Sequence, residues 1–223
     1  MAAETPKRLW TPSPARIERA ALTSFAREHG LPADYGELWR WSVADVERFW
    51  STVWDHYGVG ERFGPILADR SMPGARWFPE ERLNFAAHML RDRDPNAVAI
   101  HHASELRELG ECTWGELAAR TAAIRSGLRE LGVGAGDRVA AYLPNVLETV
   151  PAFLATASLG AVWSSAAPEF GARSVIDRFA QIEPKVLLAV DGYRYGGRDF
   201  DRGAVVEEIA AEITGLERTV RLG

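Results

Sequence analysis

The segment Tyr193-Arg194-Tyr195-Gly196-Gly197-Arg198, with Arg202 just beyond it, gathers residue types that suit a phosphorylated ligand. A guanidinium is planar and always charged, and it binds phosphate oxygens through paired N–H donors. Aromatic and guanidinium planes stack on a purine. Two consecutive glycines let a backbone approach a ligand closely. The segment follows an apolar run that ends at Val190, so it sits at the carboxyl end of an expected strand. The same composition also suits a solvated surface turn, and residue chemistry alone leaves both readings open. A second segment, Ala166-Ala167-Pro168-Glu169-Phe170, follows the preceding expected strand. Two neighbouring strand-end loops in a parallel sheet form a crevice, the usual ligand site of open α/β sheets.

Other reactive residue types carry weaker patterns. Gly132-Val133-Gly134-Ala135-Gly136-Asp137 superficially resembles a dinucleotide loop, but it follows a helix and precedes a strand. The phosphate-binding glycine loop has the reverse context, so a helix C-cap and a tight turn are expected here. His29, His56, His88, His101 and His102 show no metal-ligand spacing with cysteine or acidic partners, and no metal site is expected. No Gly-x-Ser-x-Gly elbow surrounds a serine. Ser164 and Ser165 are expected at a strand end, where a structural role outweighs ligand contact. Cys112 stands near an expected helix start, which would lower a thiol pKa, but a lone semi-buried cysteine is more often packing. No catalytic residue is assigned.

The elements that must position these residues alternate. Strands are expected at 137–143, 161–164 and 185–190, with another beginning at 217–221. Helices are expected from Asn145 as cap to about Leu159, at 172–182 and at 204–213. Repeated strand-helix-strand units define an α/β class with a doubly wound parallel sheet. Upstream, short strands are expected at 97–101 and 109–113, then a helix opened by Thr113 or Trp114. Before residue 92 the chain reads as helical and tryptophan-rich. One helix is expected over 14–28, a loop over 58–81 and a helix over 83–90. Ser42 is read as an N-cap with Asp45 as its capping-box acid, for a helix carrying Phe49, Trp50, Val53 and Trp54. That bulky stripe is read as a core face docked on a larger body. The domain boundary is placed at the Asp92–Pro95 break, giving 1–92 and 93–223.

Composition narrows the class without naming chemistry. Among 223 residues, 47% are hydrophobic and 26% charged, as in globular proteins with a sizeable core. The net charge of −5 argues against nucleic-acid partners. No apolar run suits a bilayer, and no secretory signal is read at the start. One cysteine fits a reducing compartment, so a cytoplasmic location is expected. The first dozen residues are expected to have little fixed structure.

Asp137-Arg138-Val139, Tyr142-Leu143-Pro144-Asn145, Glu148 and Gly160-Ala161 together resemble the adenylate-forming acyl-CoA synthetases. Trp77-Phe78, Leu83-Asn84 and the tryptophan-rich helix resemble the N-terminal segment of the acetyl-CoA synthetase branch. Ser165 to Gly171, Asp177-Arg178-Phe179, Gln181-Ile182 and Asp191-Gly192-Tyr193 are similar to the members that activate acetoacetate, a short-chain keto acid. The likeness runs from about Tyr35 to the end. It implies ATP, coenzyme A and Mg2+ as requirements of an intact ligase, and an acyl-adenylate intermediate. It also implies that Ala167, Pro168 and Arg198 lie against the adenine and 3′-phosphate end of coenzyme A. Arg194 is a displaced second candidate, and Tyr195 stands where relatives place another arginine. No Ser/Thr/Gly-rich loop ending in Pro-Lys occurs in these residues. The resemblance implies that this loop and a C-terminal domain follow Gly223, and that the chain alone makes no thioester. Alternatives are a non-catalytic nucleotide or coenzyme A module, or a ligase for acetate or propionate. A nicotinamide oxidoreductase and a purely structural domain fit less well.

Overall fold

The computed structural model describes residues 9–222. The chain divides into two compact units, Met1–Arg82 and Leu83–Gly223. The disorder expected for the first dozen residues falls largely outside the described residues. Among the described residues no helix is long and apolar enough to cross a membrane.

The first unit holds α1 (Pro14–Glu18), α2 (Ala21–Glu28), α3 (Tyr35–Ala44), α4 (Val46–His56) and a short antiparallel pair, β1 (Leu67–Asp69) and β2 (Arg76–Trp77). The single helix expected over 14–28 is two helices. Thr23 Oγ1 donates to the Ile17 carbonyl at 2.6 Å, which satisfies a carbonyl at the end of α1 and seals the break. Ser42 is not a cap. It lies inside α3, and its hydroxyl donates back to the Trp39 carbonyl. The cap of α4 is Asp45, which accepts the Arg48 N–H at 2.9 Å. Trp54 is buried and stacks on Phe78 at 4.5 Å, and its indole N–H reaches the Gly60 carbonyl. Trp50 stays 43% exposed, so the aromatic stripe is only partly a core face.

The second unit begins with α5 (Phe85–Leu90) and the antiparallel hairpin of β3 (Val98–Ser104) and β4 (Arg107–Thr113). Then follow α6 (Trp114–Glu130), β5 (Arg138–Tyr142), α7 (Thr149–Ser158), β6 (Val162–Ala166), α8 (Ala172–Phe179) and β7 (Val186–Val190). A second hairpin, β8 (Gly192–Tyr195) and β9 (Arg198–Asp201), precedes α9 (Gly203–Glu212) and β10 (Arg218–Leu222). Thr113 and Glu116 form a full capping box at the start of α6. Gly132, at φ +80°, ends α6, with the Val133 N–H on the Leu128 carbonyl and the Gly132 N–H on the Arg129 carbonyl. This is a Schellman motif, and it accounts for the first glycine of the run. Asn145 is not the cap of α7, which starts at Thr149 with Glu148 before it; residues 143–148 are a loop.

The main sheet is parallel in the order β10-β7-β5-β6. The chain leaves β5 toward one side, returns past it to β7, and continues outward to β10. Residues of β5 and β7 alternate between two cores. Val139, Ala141, Val186 and Leu188 share one with Ala152 and Ala155 of α7. Ala140, Tyr142, Leu187 and Ala189 share the other with Val175 and Phe179 of α8 and Val206 and Ile209 of α9. All five β7 residues are buried, as expected of a parallel strand covered on both faces. The sheet is therefore doubly wound, and its order reverses between β5 and β7.

Candidate functional site

At the carboxyl ends of β5, β6 and β7 the second unit has a cavity of about 550 Å³. This is the crevice that a reversal of strand order opens. Pro144, Asn145 and Glu148 line it after β5. Ala167, Pro168 and Glu169 line it after β6, and Tyr193, Arg194 and Tyr195 after β7. Ser104, Leu106 and Arg107 close it from the β3–β4 turn.

The segment expected to be a loop after β7 is a hairpin. Tyr195 faces Arg198 across a two-residue turn in which Gly196 and Gly197 have φ +60° and +71°. Two successive left-handed residues match the twist of the flanking strands, and glycine enters that region without steric cost. The Glu105 carboxylate accepts the Gly196 and Gly197 N–H groups at 2.6 and 2.8 Å, so the tip is held by the β3–β4 turn. Tyr193 and Phe200 stack at 5.0 Å on one face of the hairpin. The Arg202 guanidinium lies over both rings, and its Nε donates to the Pro168 carbonyl at 2.8 Å. The Tyr142 hydroxyl, fully buried, lies 2.7 Å from the carbonyls of both Pro168 and Phe170. Pro168 is thus fixed from the floor of the crevice by Tyr142 and from the hairpin side by Arg202. Burial pushes the Tyr142 phenol up, beyond the opposing pull of Arg202, and keeps it a neutral donor.

Four of the residues singled out by sequence, Ala167, Pro168, Arg194 and Tyr195, line the cavity. Arg198 does not. It opens β9 opposite Tyr195, exposed, and among the described residues no ion pair or hydrogen bond of its side chain is found. Arg194 is engaged, with Nε and Nη2 on the two Asp199 oxygens at 2.6 and 2.8 Å. That pairing holds the Asp199 carboxyl below its ordinary range. Sequence reasoning missed the pairing of Arg107 with Glu148 on the opposite rim, where Arg107 Nη1 donates to both carboxylate oxygens at 2.8 Å. Partial burial raises the Glu148 pKa, but the Arg107 hydrogen bond, a backbone bond and the Arg107 and Arg120 charges outweigh it and lower the carboxyl. Forty-one residues separate the pair, so no local pattern signals it.

The remaining candidates stand away from the cavity lining. Ser164 and Ser165 lie within β6, paired with Ala140 and Ala141, not at its end. Cys112 is buried beside Ala86, Leu117 and Leu154, and burial pushes its thiol up instead of activating it. Asp137 accepts the Gly134 N–H at 2.9 Å, which completes a tight turn and settles the glycine run as structural.

The fold and the placement of the crevice define a doubly wound α/β domain with a ligand crevice at its strand-order reversal. Residues 87–221 match the family of AMP-binding enzymes, and the chain belongs to that family. Residues 35–89 match the N-terminal region of acetyl-coenzyme A synthetase. The chain is similar to acetoacetyl-coenzyme A synthetase of Rhizobium meliloti (strain 1021), 41% identical over 96% of this chain and 33% of the relative. It is 35% identical to acetoacetyl-CoA synthetase of Danio rerio, again over 96% of this chain and 33% of the relative. The solved structure of acetoacetyl-CoA synthetase from Streptomyces lividans superposes with a TM-score of 0.88 at 46% identity, covering 97% of this chain and 35% of that one. The chain therefore spans about a third of the length of the relatives it matches.

Proposed function

We propose that this chain is the N-terminal part of an ATP-dependent acid–CoA ligase that converts acetoacetate to acetoacetyl-CoA. We further propose that the crevice receives the adenine and 3′-phosphate end of coenzyme A. The observation that carries the site is the convergence of Ala167, Pro168, Arg194 and Tyr195 on one cavity at the strand-order reversal. The acyl group is assigned from relatives that bear that name.

In the proposed reaction the acetoacetate carboxylate attacks the α-phosphorus of ATP, which enters with Mg2+, and pyrophosphate leaves. The thiol of coenzyme A then attacks the acyl carbon of the mixed anhydride. AMP departs with the bonding pair, and the thiol proton goes to solvent or a base. No side chain of this chain is assigned to the reacting atoms. Its part is to bind and orient. Tyr195 is 74% exposed and offers a ring face for the adenine. Arg198, paired across the turn with Tyr195 and without a side-chain partner among the described residues, would take the 3′-phosphate in this reading. Arg194 serves less directly, because Asp199 already occupies its donors.

In a ligase that contains this chain, Arg198→Ala is expected to weaken coenzyme A more than its 3′-dephospho form. Equal losses would remove Arg198 from the phosphate. The 223-residue chain by itself is expected to bind coenzyme A without making a thioester, and ATP-dependent thioester formation by it would overturn the division of labour.

A further inference from the structure

Sequence spacing predicts no metal site, yet the first unit brings Glu28, His29 and His56 to one point. Glu28 is the last residue of α2, His29 follows as its C-cap, and His56 is the last residue of α4. His29 Nε2 lies 3.3 Å from His56 Nδ1, which lies 3.2 Å from Glu28 Oε2. All three atoms fall within 4.8 Å of one another. One imidazole nitrogen carries at most one proton, so His56 Nδ1 cannot donate to Glu28 and accept from His29 at once. A single cation placed between the three would accept one lone pair from each ligand atom.

We infer that this cluster is a binding site for a divalent transition-metal ion, with Zn2+ as the best match. A tetrahedral ion with bonds of about 2.0–2.1 Å separates adjacent ligand atoms by about 3.3 Å. Two edges of the cluster already have that length. The third closes by rotation of Glu28, whose side chain is 59% exposed. Phe25 packs on both imidazoles, at 4.8 and 5.0 Å, and holds them in place. Both histidines stand at helix C-termini, where the partial negative charge of the carbonyls favours a cation. Two imidazoles and one carboxylate suit Zn2+ and neighbouring transition ions, whereas Mg2+ and Ca2+ prefer oxygen donors. Water completes the fourth position, and the ion ties the end of α2 to the end of α4.

The test uses the tag-free 223-residue chain, stripped with chelator and titrated with Zn2+ and with Co2+ as a spectroscopic substitute. One equivalent is expected to bind, with the intense visible absorption of four-coordinate Co2+ and a rise in melting temperature on adding Zn2+. His29→Gln and His56→Gln should abolish both, and His101→Gln should leave them unchanged. Glu28→Gln, at an exposed position that does not endanger folding, should weaken Zn2+ by about tenfold or more. Absence of saturable Zn2+ binding would overturn the site. So would affinity unchanged by Glu28→Gln, or binding that survives both histidine substitutions.

Discussion

Tyr142→Phe removes one oxygen from a residue that has no exposure at all, and its effect follows from what that oxygen serves. The hydroxyl has one proton and two carbonyl neighbours, Pro168 and Phe170, each at 2.7 Å. A buried acceptor that loses its donor costs about 1–3 kcal/mol. The Pro168 carbonyl retains Arg202 Nε at 2.8 Å, so the expected cost lies in the lower part of that range, about 1–2 kcal/mol. For a chain of this size, 1 kcal/mol moves the melting temperature by about 2–4 °C, so calorimetry should show a fall of about 2–8 °C. The decisive arm is a double-mutant cycle with Arg202→Met, which keeps the aliphatic cover over Tyr193 and Phe200 but withdraws the second donor. With both donors gone the Pro168 carbonyl is stranded, so the double variant should be worse than the sum by about 0.5 kcal/mol or more. Additivity within about 0.3 kcal/mol would show that the two side chains do not share Pro168 energetically. A Tyr142→Phe variant within about 0.5 kcal/mol of the parent would refute the floor-to-wall bond outright.

Two further outcomes follow from the same elements. The Asp137 carboxyl is held below its ordinary range, first by the Gly134 N–H and, against burial, by Lys185 and Arg138. A folded pKa lower than the unfolded one contributes stability above the unfolded value, near pH 4, and that contribution disappears as pH falls through the folded value. Asp137→Asn should therefore lower the urea midpoint at pH 7 and converge on the parent in acid; a gap constant with pH would contradict the linkage. Glu105→Gln weakens the acceptor that holds the Gly196 and Gly197 amides, and hydrogen exchange at those two amides should rise by about tenfold. Unchanged exchange would show that the tip is held by the β-turn alone.

What the sequence disclosed depended on whether the signal was local. The alternating strands and helices of the second unit were legible because buried parallel strands are continuous apolar runs, such as Val186–Val190. The strand-end placement of Ala167 and Pro168 was legible for the same reason. The hairpin at 192–201 was not, although Gly196-Gly197 is a turn pair; its second strand carries Arg198, Asp199 and Asp201, which hides the strand alternation. The Ser42 cap failed because Asp45 offers the same chemistry three residues later, and only α3 continuing through Ser42 decides between them. The contacts that join separate elements around the site are long-range. Arg107 meets Glu148, Glu105 meets the glycine tip, and Tyr142 meets Pro168, and each depends on a topology no window of residues contains.

These internal contacts also determine what the crevice can select. Of the arginines around it, Arg107 is spent on Glu148, Arg194 on Asp199 and Arg202 on Pro168 and two aromatic rings. Each pairing fixes a wall, and each removes a cation from competition for ligand phosphate. Arg198 alone among these four has no side-chain partner among the described residues. A site built this way gains little from a diffuse positive field, as the net charge of −5 also implies. It gains instead from preorganisation, because walls already held in place lose little further entropy when a ligand enters. On the proposed assignment, the uncommitted Arg198 guanidinium beside the exposed Tyr195 ring would take one phosphate at a set distance from one base. Under the coenzyme A proposal, that pattern would suit a 3′-phosphoadenosine better than the triphosphate of ATP, whose larger charge calls for more donors than one free guanidinium supplies.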